Sequence, residues 1–196
     1  MSDLFAADDA ATPISEDEKA GLIPTHITLQ SELNQYEARG VAEADAWLNS
    51  RRHSLLEEKL IRQLHRRMFR ATWRWAGDFR KTGKNIGIDA IHISVQLKQL
   101  LDDVRYWVEH GTFSADEIAI RFHHRLVFIH PFANGNGRHA RLMADALIMQ
   151  LGGTRFTWGR ANVAAEGPSR DEYIAALQAA DKDPNDVARL LAFARS

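Results

Sequence analysis

Residues 130 to 141 read His130-Pro131-Phe132-Ala133-Asn134-Gly135-Asn136-Gly137-Arg138-His139-Ala140-Arg141. A neutral imidazole is the side chain best suited to taking a proton from a hydroxyl near pH 7, which makes His130 a candidate base. Gly135 and Gly137 can adopt positive φ cheaply and carry no side chain, so a phosphate can approach a nest of backbone amides. Arg138 and Arg141, three apart, share a face of any helix that starts here, and their planar forks match phosphate oxygens in pairs. Together these types and spacings point to phosphoryl or nucleotidyl transfer on a polyphosphate. Singly, each has a plain structural reading: a helix cap, an interhelical turn, partners for carboxylates. Only the combination favours chemistry.

The flanking segments read as helices that would hold this loop. Ser114 opens one, with Ile118, Phe122, Leu126 and Ile129 on one face leading to His130, and Pro131 closes it. After Gly137, residues Ala140 and Leu142 to Met149 are apolar on nearly every side except at Asp145, as expected of a helix in the centre of a bundle. Its N-terminus, with unpaired N–H groups and partial positive charge, is where an anion would sit. Ser54 can cap a further amphipathic helix through Leu56, Leu60, Leu64 and Met68. Leu97, Leu100, Leu101, Val104 and Val108 form another, ended by Gly111. Thr28 to Leu48 is helical with an expected break near Gly40, and Ser15 with Glu18 predicts a short capped helix upstream. Two closing helices run through Tyr173 and Leu177 and through Val187 and Leu190. Between Trp75 and Ser94 the period is lost and Gly77, Gly83 and Gly87 punctuate short stretches, which predicts a β-hairpin flap. The expected fold class is therefore mainly α, a helical bundle with a small β-hairpin flap.

A chain of 196 residues with 45% hydrophobic and 26% charged residues predicts one ordered domain with an N-terminal extension. Its net charge of −1 provides no overall field toward nucleic acid or anionic lipid. The absence of cysteine excludes disulfides, thiolate metal sites and a cysteine nucleophile, and suits a reducing, cytoplasmic setting. Acidic residues from Asp3 to Glu18 replace the basic start of a secretory signal, and no apolar run is long enough to predict a membrane span.

The stretch from His130 to Arg141 resembles the signature of the Fic family (Fido fold): His-Pro-Phe, any residue, Asp or Glu, Gly-Asn-Gly-Arg, two residues, Arg. Eight of its nine specified positions match. Similarity extends to Trp75-Ala76-Gly77-Asp78-Phe79-Arg80 and to Arg170-Asp171-Glu172-Tyr173. The whole chain is also similar to a small bacterial subgroup called mobile mystery protein B, including its stretch from Gly21 to Ile27. The resemblance implies residues 1–44 as an extension carrying a candidate regulatory helix and 45–196 as the catalytic domain. It implies a protein adenylyltransferase, in which His130 deprotonates a Ser, Thr or Tyr hydroxyl of a target protein that attacks the α-phosphate of ATP and takes AMP. Phe132 would be a buried anchor and Gly135, Asn136 and Gly137 the anion hole. Arg138 and Arg141 would contact the β- and γ-phosphates, Tyr173 the adenosine. Lys84, Asn85, Ile86, Gly87 and Ile88 would hold the target segment by strand addition.

One departure concerns Mg²⁺: the family's acidic metal-binding residue is Asn134 here, and a neutral amide should hold the cation more weakly. Another nucleotide or group donor, or removal of AMP, is therefore an alternative. Family members often carry an inhibitory glutamate that pairs with the second motif arginine. Glu32 and Glu37 are the candidates, each an imperfect match, so an antitoxin-like partner protein is an alternative restraint. His123, His124, His130 and His139 raise a metal-hydrolase reading that no dipeptide or His-Glu-x-x-His spacing supports. Arg51, Arg52, Arg62, Arg66, Arg67, Arg70 and Arg74 raise a nucleic-acid-binding module, against which Glu57, Glu58 and the near-zero net charge argue.

Overall fold

The computed structural model describes residues 19–27, 29–160 and 168–196; the Ser15 to Glu18 cap pattern and Thr28 lie outside them. Among the described residues there are seven α-helices: α1 (Gln30–Asn49), α2 (Glu58–Phe69), α3 (Ile93–His110), α4 (Ala115–Ile129), α5 (Asn136–Gln150), α6 (Pro168–Lys182) and α7 (Ala188–Arg195). The local signals explain several of their ends. Ser114 Oγ accepts the Glu117 N–H at 3.2 Å to start α4, and Gly111 ends α3 in the left-handed conformation at φ 58°.

The α4–α5 hairpin is the spine, with a core on each side. Toward α1, α2 and α3 it buries Phe122, Leu126, Met143 and Leu147 with Leu64 and Leu100. Toward α6 and α7 it buries Ala119, Ile120, Ala144 and Ile148 with Tyr173 and Leu190. Enclosing a side chain such as Phe122 or Leu126 contributes about 1.5–3 kcal/mol, so the spine is held rigidly from both faces. Of α5, every residue from Leu142 to Ile148 is buried, which accounts for its apolar composition.

Three expectations change. α2 begins at Glu58 behind Glu57 with no side-chain cap, so Ser54 does not cap it. α1 runs unbroken through Gly40, because a Cβ there would collide with the Met68 carbonyl; glycine permits a close approach between α1 and α2. The helix also passes straight through positions 44 and 45, and Leu33, Ala44 and Leu48 share one core with α2. The β-hairpin does not form: residues 81–89 are irregular, and the antiparallel bridge Leu22–Trp73 is the β pairing recorded among the described residues. The reason lies in Arg80, whose guanidinium takes the carbonyls of Thr82 (2.9 Å) and Ile88. A side chain thus closes the flap where a strand ladder was expected.

Candidate active site

His130 follows α4 with φ 53° and ψ 60°, a left-handed conformation that is costly for a side-chain-bearing residue. That turn folds its ring back on the helix, where Nδ1 lies 3.3 Å from the Val127 carbonyl. A carbonyl only accepts, so Nδ1 carries the proton and Nε2 carries the ring's lone pair. Burial pushes the imidazole pKa down to about 4, the Val127 bond offsets this only in part, and the charges of Arg80 and Lys84 push the same way. The ring is neutral at pH 7.

The loop after it is tied at three points. Asn136, 2% exposed, accepts the Phe132 N–H and donates to the Phe132 carbonyl, both at 2.9 Å. Its side chain folds the loop, leaving only its backbone amide for an anion. Phe132 is fully buried and stacks on His65 with ring centroids 3.7 Å apart, as an anchor should. His65 Nδ1 accepts the Gly77 N–H at 3.0 Å, so its Nε2–H donates to the Asn134 carbonyl, also at 3.0 Å. Asn134 Oδ1 accepts the N–H of Gly135.

Gly135 caps α5 with φ 76°, and a Cβ there would lie 2.5 Å from the Phe69 ring. The helix's hydrogen bonding starts with His139 N–H to the Gly135 carbonyl (3.0 Å), leaving the amides of Asn136, Gly137 and Arg138 directed off its end. Gly137 differs from Gly135. A Cβ at 137 would meet only the Tyr173 hydroxyl at 3.6 Å and an Arg141 nitrogen at 3.9 Å, ordinary contacts. The chain's own packing does not require glycine there.

The two arginines are treated differently by the fold. Arg138 pairs with Glu37 at 2.7 Å and lies over the Phe69 ring. Glu37 is 6% exposed, and its other oxygen accepts the Trp73 indole N–H at 2.6 Å. The carboxylate therefore meets the first motif arginine, where the second was expected, because the Trp73 bond fixes its position on α1. Glu32 stays exposed in the first turn of the same helix. Arg141 is half-buried against the Tyr173 ring and bonded to its hydroxyl. Among the described residues no carboxylate pairs with it. Tyr173 is 4% exposed and its hydroxyl also lies 3.0 Å from His123 Nε2. It supports Arg141 from below, with its ring and its hydroxyl both engaged within the protein.

The flap lies on His130. A Cβ at Gly87 would stand 2.5 Å from His130 Cβ, so glycine with φ 91° is what lets the flap rest there. Lys84 and Ile88 are half-buried, while Asn85, Ile86 and Gly87 are exposed. Three supporting residues were not predicted: Arg80, whose Nε donates to the His130 carbonyl at 2.6 Å; His65; and Trp73. A polar His65 on the apolar face of α2 was the available signal.

His124 bonds to Asp181, His139 to the Ile61 carbonyl and His123 to Tyr173, and no cluster of metal-ligating side chains occurs among the described residues. Arg62 and Arg66 bond to Gly77 and Ala76 carbonyls and to Asp78, while Arg67 stacks on Trp47. No described helix is long and apolar enough to cross a membrane.

Comparison with known proteins agrees with this geometry. Residues 55–148 match the Fic/DOC family. Protein adenylyltransferase fic-1 of Caenorhabditis briggsae is 33% identical over 124 residues, covering 59% of this chain and 24% of the relative. The solved structure of a C. elegans Fic-1 fragment superposes with a TM-score of 0.65 at 26% identity, covering 91% of this chain and 51% of that one. The Bartonella tribocorum BepC structure with bound AMPPNP has the same fold, with a TM-score of 0.69 at 17% identity over 92% of this chain and 97% of that one. This chain spans about a quarter of the length of the curated relatives it matches. With the motif loop, the central helix and the family match coinciding on one segment, residues 55–148 form a Fic/DOC family domain.

Proposed function

We propose that this protein is a protein adenylyltransferase that moves AMP from ATP to a hydroxyl of a target protein. The observation that carries this reading is Arg141. It is a half-buried guanidinium with no carboxylate partner among the described residues, beside a glycine that the chain's packing does not require, at the N-terminus of a buried helix. Such a place is complementary to a polyphosphate. The named activity of the matched relatives supports it.

In the reaction the target hydroxyl gives its proton to His130 Nε2, and its oxygen bonds to the α-phosphorus. The bond from that phosphorus to the bridging oxygen breaks, and pyrophosphate leaves with the electron pair. The amides of Asn136, Gly137 and Arg138 and the guanidinium groups of Arg138 and Arg141 hold the phosphates in place, so positioning and charge neutralisation carry most of the rate. The segment from Lys84 to Ile88 holds the target backbone over His130.

A protein-held Mg²⁺ does not fit these residues. Asn134 offers one neutral oxygen, already bonded to the Gly135 N–H, with no metal-ligating cluster around it among the described residues. The substrate is thus best written as MgATP, its ion held by phosphate oxygens. The weak metal site keeps a second reading in play, in which another nucleotide or group donor is used or AMP is removed.

Glu37 acts as a restraint by occupying Arg138, which ATP must then win from it. An antitoxin-like partner would act at the same arginine. A cytoplasmic setting and the mobile mystery protein B subgroup complete this reading. The test is incubation with α-labelled ATP and a cell lysate. Label on protein that disappears in His130→Ala and grows in Glu37→Gln is expected. Absence of label in the parent and in Glu37→Gln overturns the assignment.

A further inference from the structure

We propose that Arg80 is a positioning residue that couples the flap to His130, so that seating a target backbone and aiming the imidazole become one event. The proposal rests on the adenylyltransferase reading for its catalytic meaning. Its structural content stands separately. Arg80 is 5% exposed, and its single guanidinium reaches two segments. On one side Nε donates to the His130 carbonyl at 2.6 Å and a terminal nitrogen donates to the Ile129 carbonyl at 3.3 Å. On the other side it donates to Thr82 (2.9 Å) and Ile88 carbonyls, which bracket the flap. Its own backbone N–H donates to the Pro131 carbonyl at 2.9 Å.

These bonds have a physical logic on each side. The Ile129 and His130 carbonyls end α4 beyond the reach of its i→i+4 ladder, where the helix dipole is negative and a cation is favoured. His130 is held in a left-handed conformation, a strained geometry that persists only when its surroundings enforce it. The flap, in turn, has no strand ladder, and the Arg80 fork is what joins its two ends. Gly87 completes the contact: a Cβ there would stand 2.5 Å from His130 Cβ and 3.0 Å from an Arg80 nitrogen. Flap and imidazole therefore cannot move independently while the fork holds both. A lysine keeps the charge but presents one point donor where a fork is needed.

The test compares the parent protein with Arg80→Lys and Gly87→Ala. Backbone ¹⁵N relaxation reads the order of the flap over residues 83–88, and NMR titration reads the His130 side chain. Calorimetry with AMPPNP reads the phosphate site, and α-labelled ATP with a lysate reads transfer. In Arg80→Lys, the order parameters of residues 83–88 should fall below about 0.6, the flexible range. The His130 titration should rise from about 4 by about one unit or more as water enters. AMPPNP affinity should stay within about threefold, because Asn136 and His65 hold the phosphate loop, while transfer falls about tenfold or more. Gly87→Ala, which disturbs the same junction from the flap side and guards against misfolding of the first variant, should move order parameters and titration together. Coupling is reciprocal, so either observable moving alone overturns the proposal, as does no change in either. Loss of AMPPNP binding in Arg80→Lys also overturns it, making Arg80 a general brace of the loop. Absence of label in both the parent and Glu37→Gln refutes the adenylyltransferase reading instead, and leaves the order-parameter and titration results to decide the coupling.

Discussion

Acidification from pH 7 to about pH 5 should strip this fold of much of its stability through buried histidines. Burial pushes the pKa of His123 down to about 3 and those of His130 and His139 to about 4, from an ordinary 6.5. His65 is lowered in the same direction, mainly by burial and next by His139. A lowered folded pKa means that the unfolded chain takes up the proton first. The stability is therefore complete above 6.5 and is lost as pH falls toward 4. Between 6.5 and about pH 5 each such histidine forfeits about 1.36 kcal/mol per unit, or about 2 kcal/mol, and three together about 6 kcal/mol. That is comparable to the about 5–15 kcal/mol that a whole domain has. Asp145 works in the opposite sense: burial raises its pKa, so it regains some stability on acidification. Urea unfolding followed by circular dichroism at several pH values measures the sum. His139→Gln, whose side-chain amide can still donate to the Ile61 carbonyl, should lessen the loss by about 2 kcal/mol. An unfolding free energy that is level or rises from pH 7 to 5 would refute the buried-neutral assignment.

Three further outcomes separate ligand-driven from fold-driven residues. Gly137→Ala should leave thermal stability within about 0.5 kcal/mol yet weaken AMPPNP binding in calorimetry by about tenfold or more, since only a phosphate needs the bare backbone there. Gly135→Ala, by contrast, must bear φ 76° and a 2.5 Å approach to Phe69, and should lower stability by about 1–3 kcal/mol in a thermal melt. Asn134→Asp restores a charged metal ligand, and should lower the Mg²⁺ concentration needed for half-maximal transfer, measured by metal titration at fixed ATP.

The motif loop, the helix before it and the apolar helix after it were legible in the residues alone. They depend on local rules: a serine cap, one glycine at positive φ (Gly135, while Gly137 is already helical), and a run of side chains that only a central helix can bury. So was the neutrality of the His130 ring, which follows from ordinary imidazole chemistry and which burial only strengthens. The roles of Arg80 and His65 were not legible, because each acts on a backbone carbonyl some fifty or more residues away, and a carbonyl leaves no mark in a sequence. The expected hairpin was lost to a contact within the flap itself, the Thr82 and Ile88 carbonyls going to the Arg80 side chain.

Composition and short-range spacing thus determined which segments are helices and which loop could grip an anion, since those depend on neighbours within a turn or two. Packing decided that Glu37 meets Arg138, that Tyr173 lies under Arg141 and that Arg80 joins flap to imidazole. Such contacts depend on how close and at what angle two helices meet, and so on side chains from every part of the chain at once.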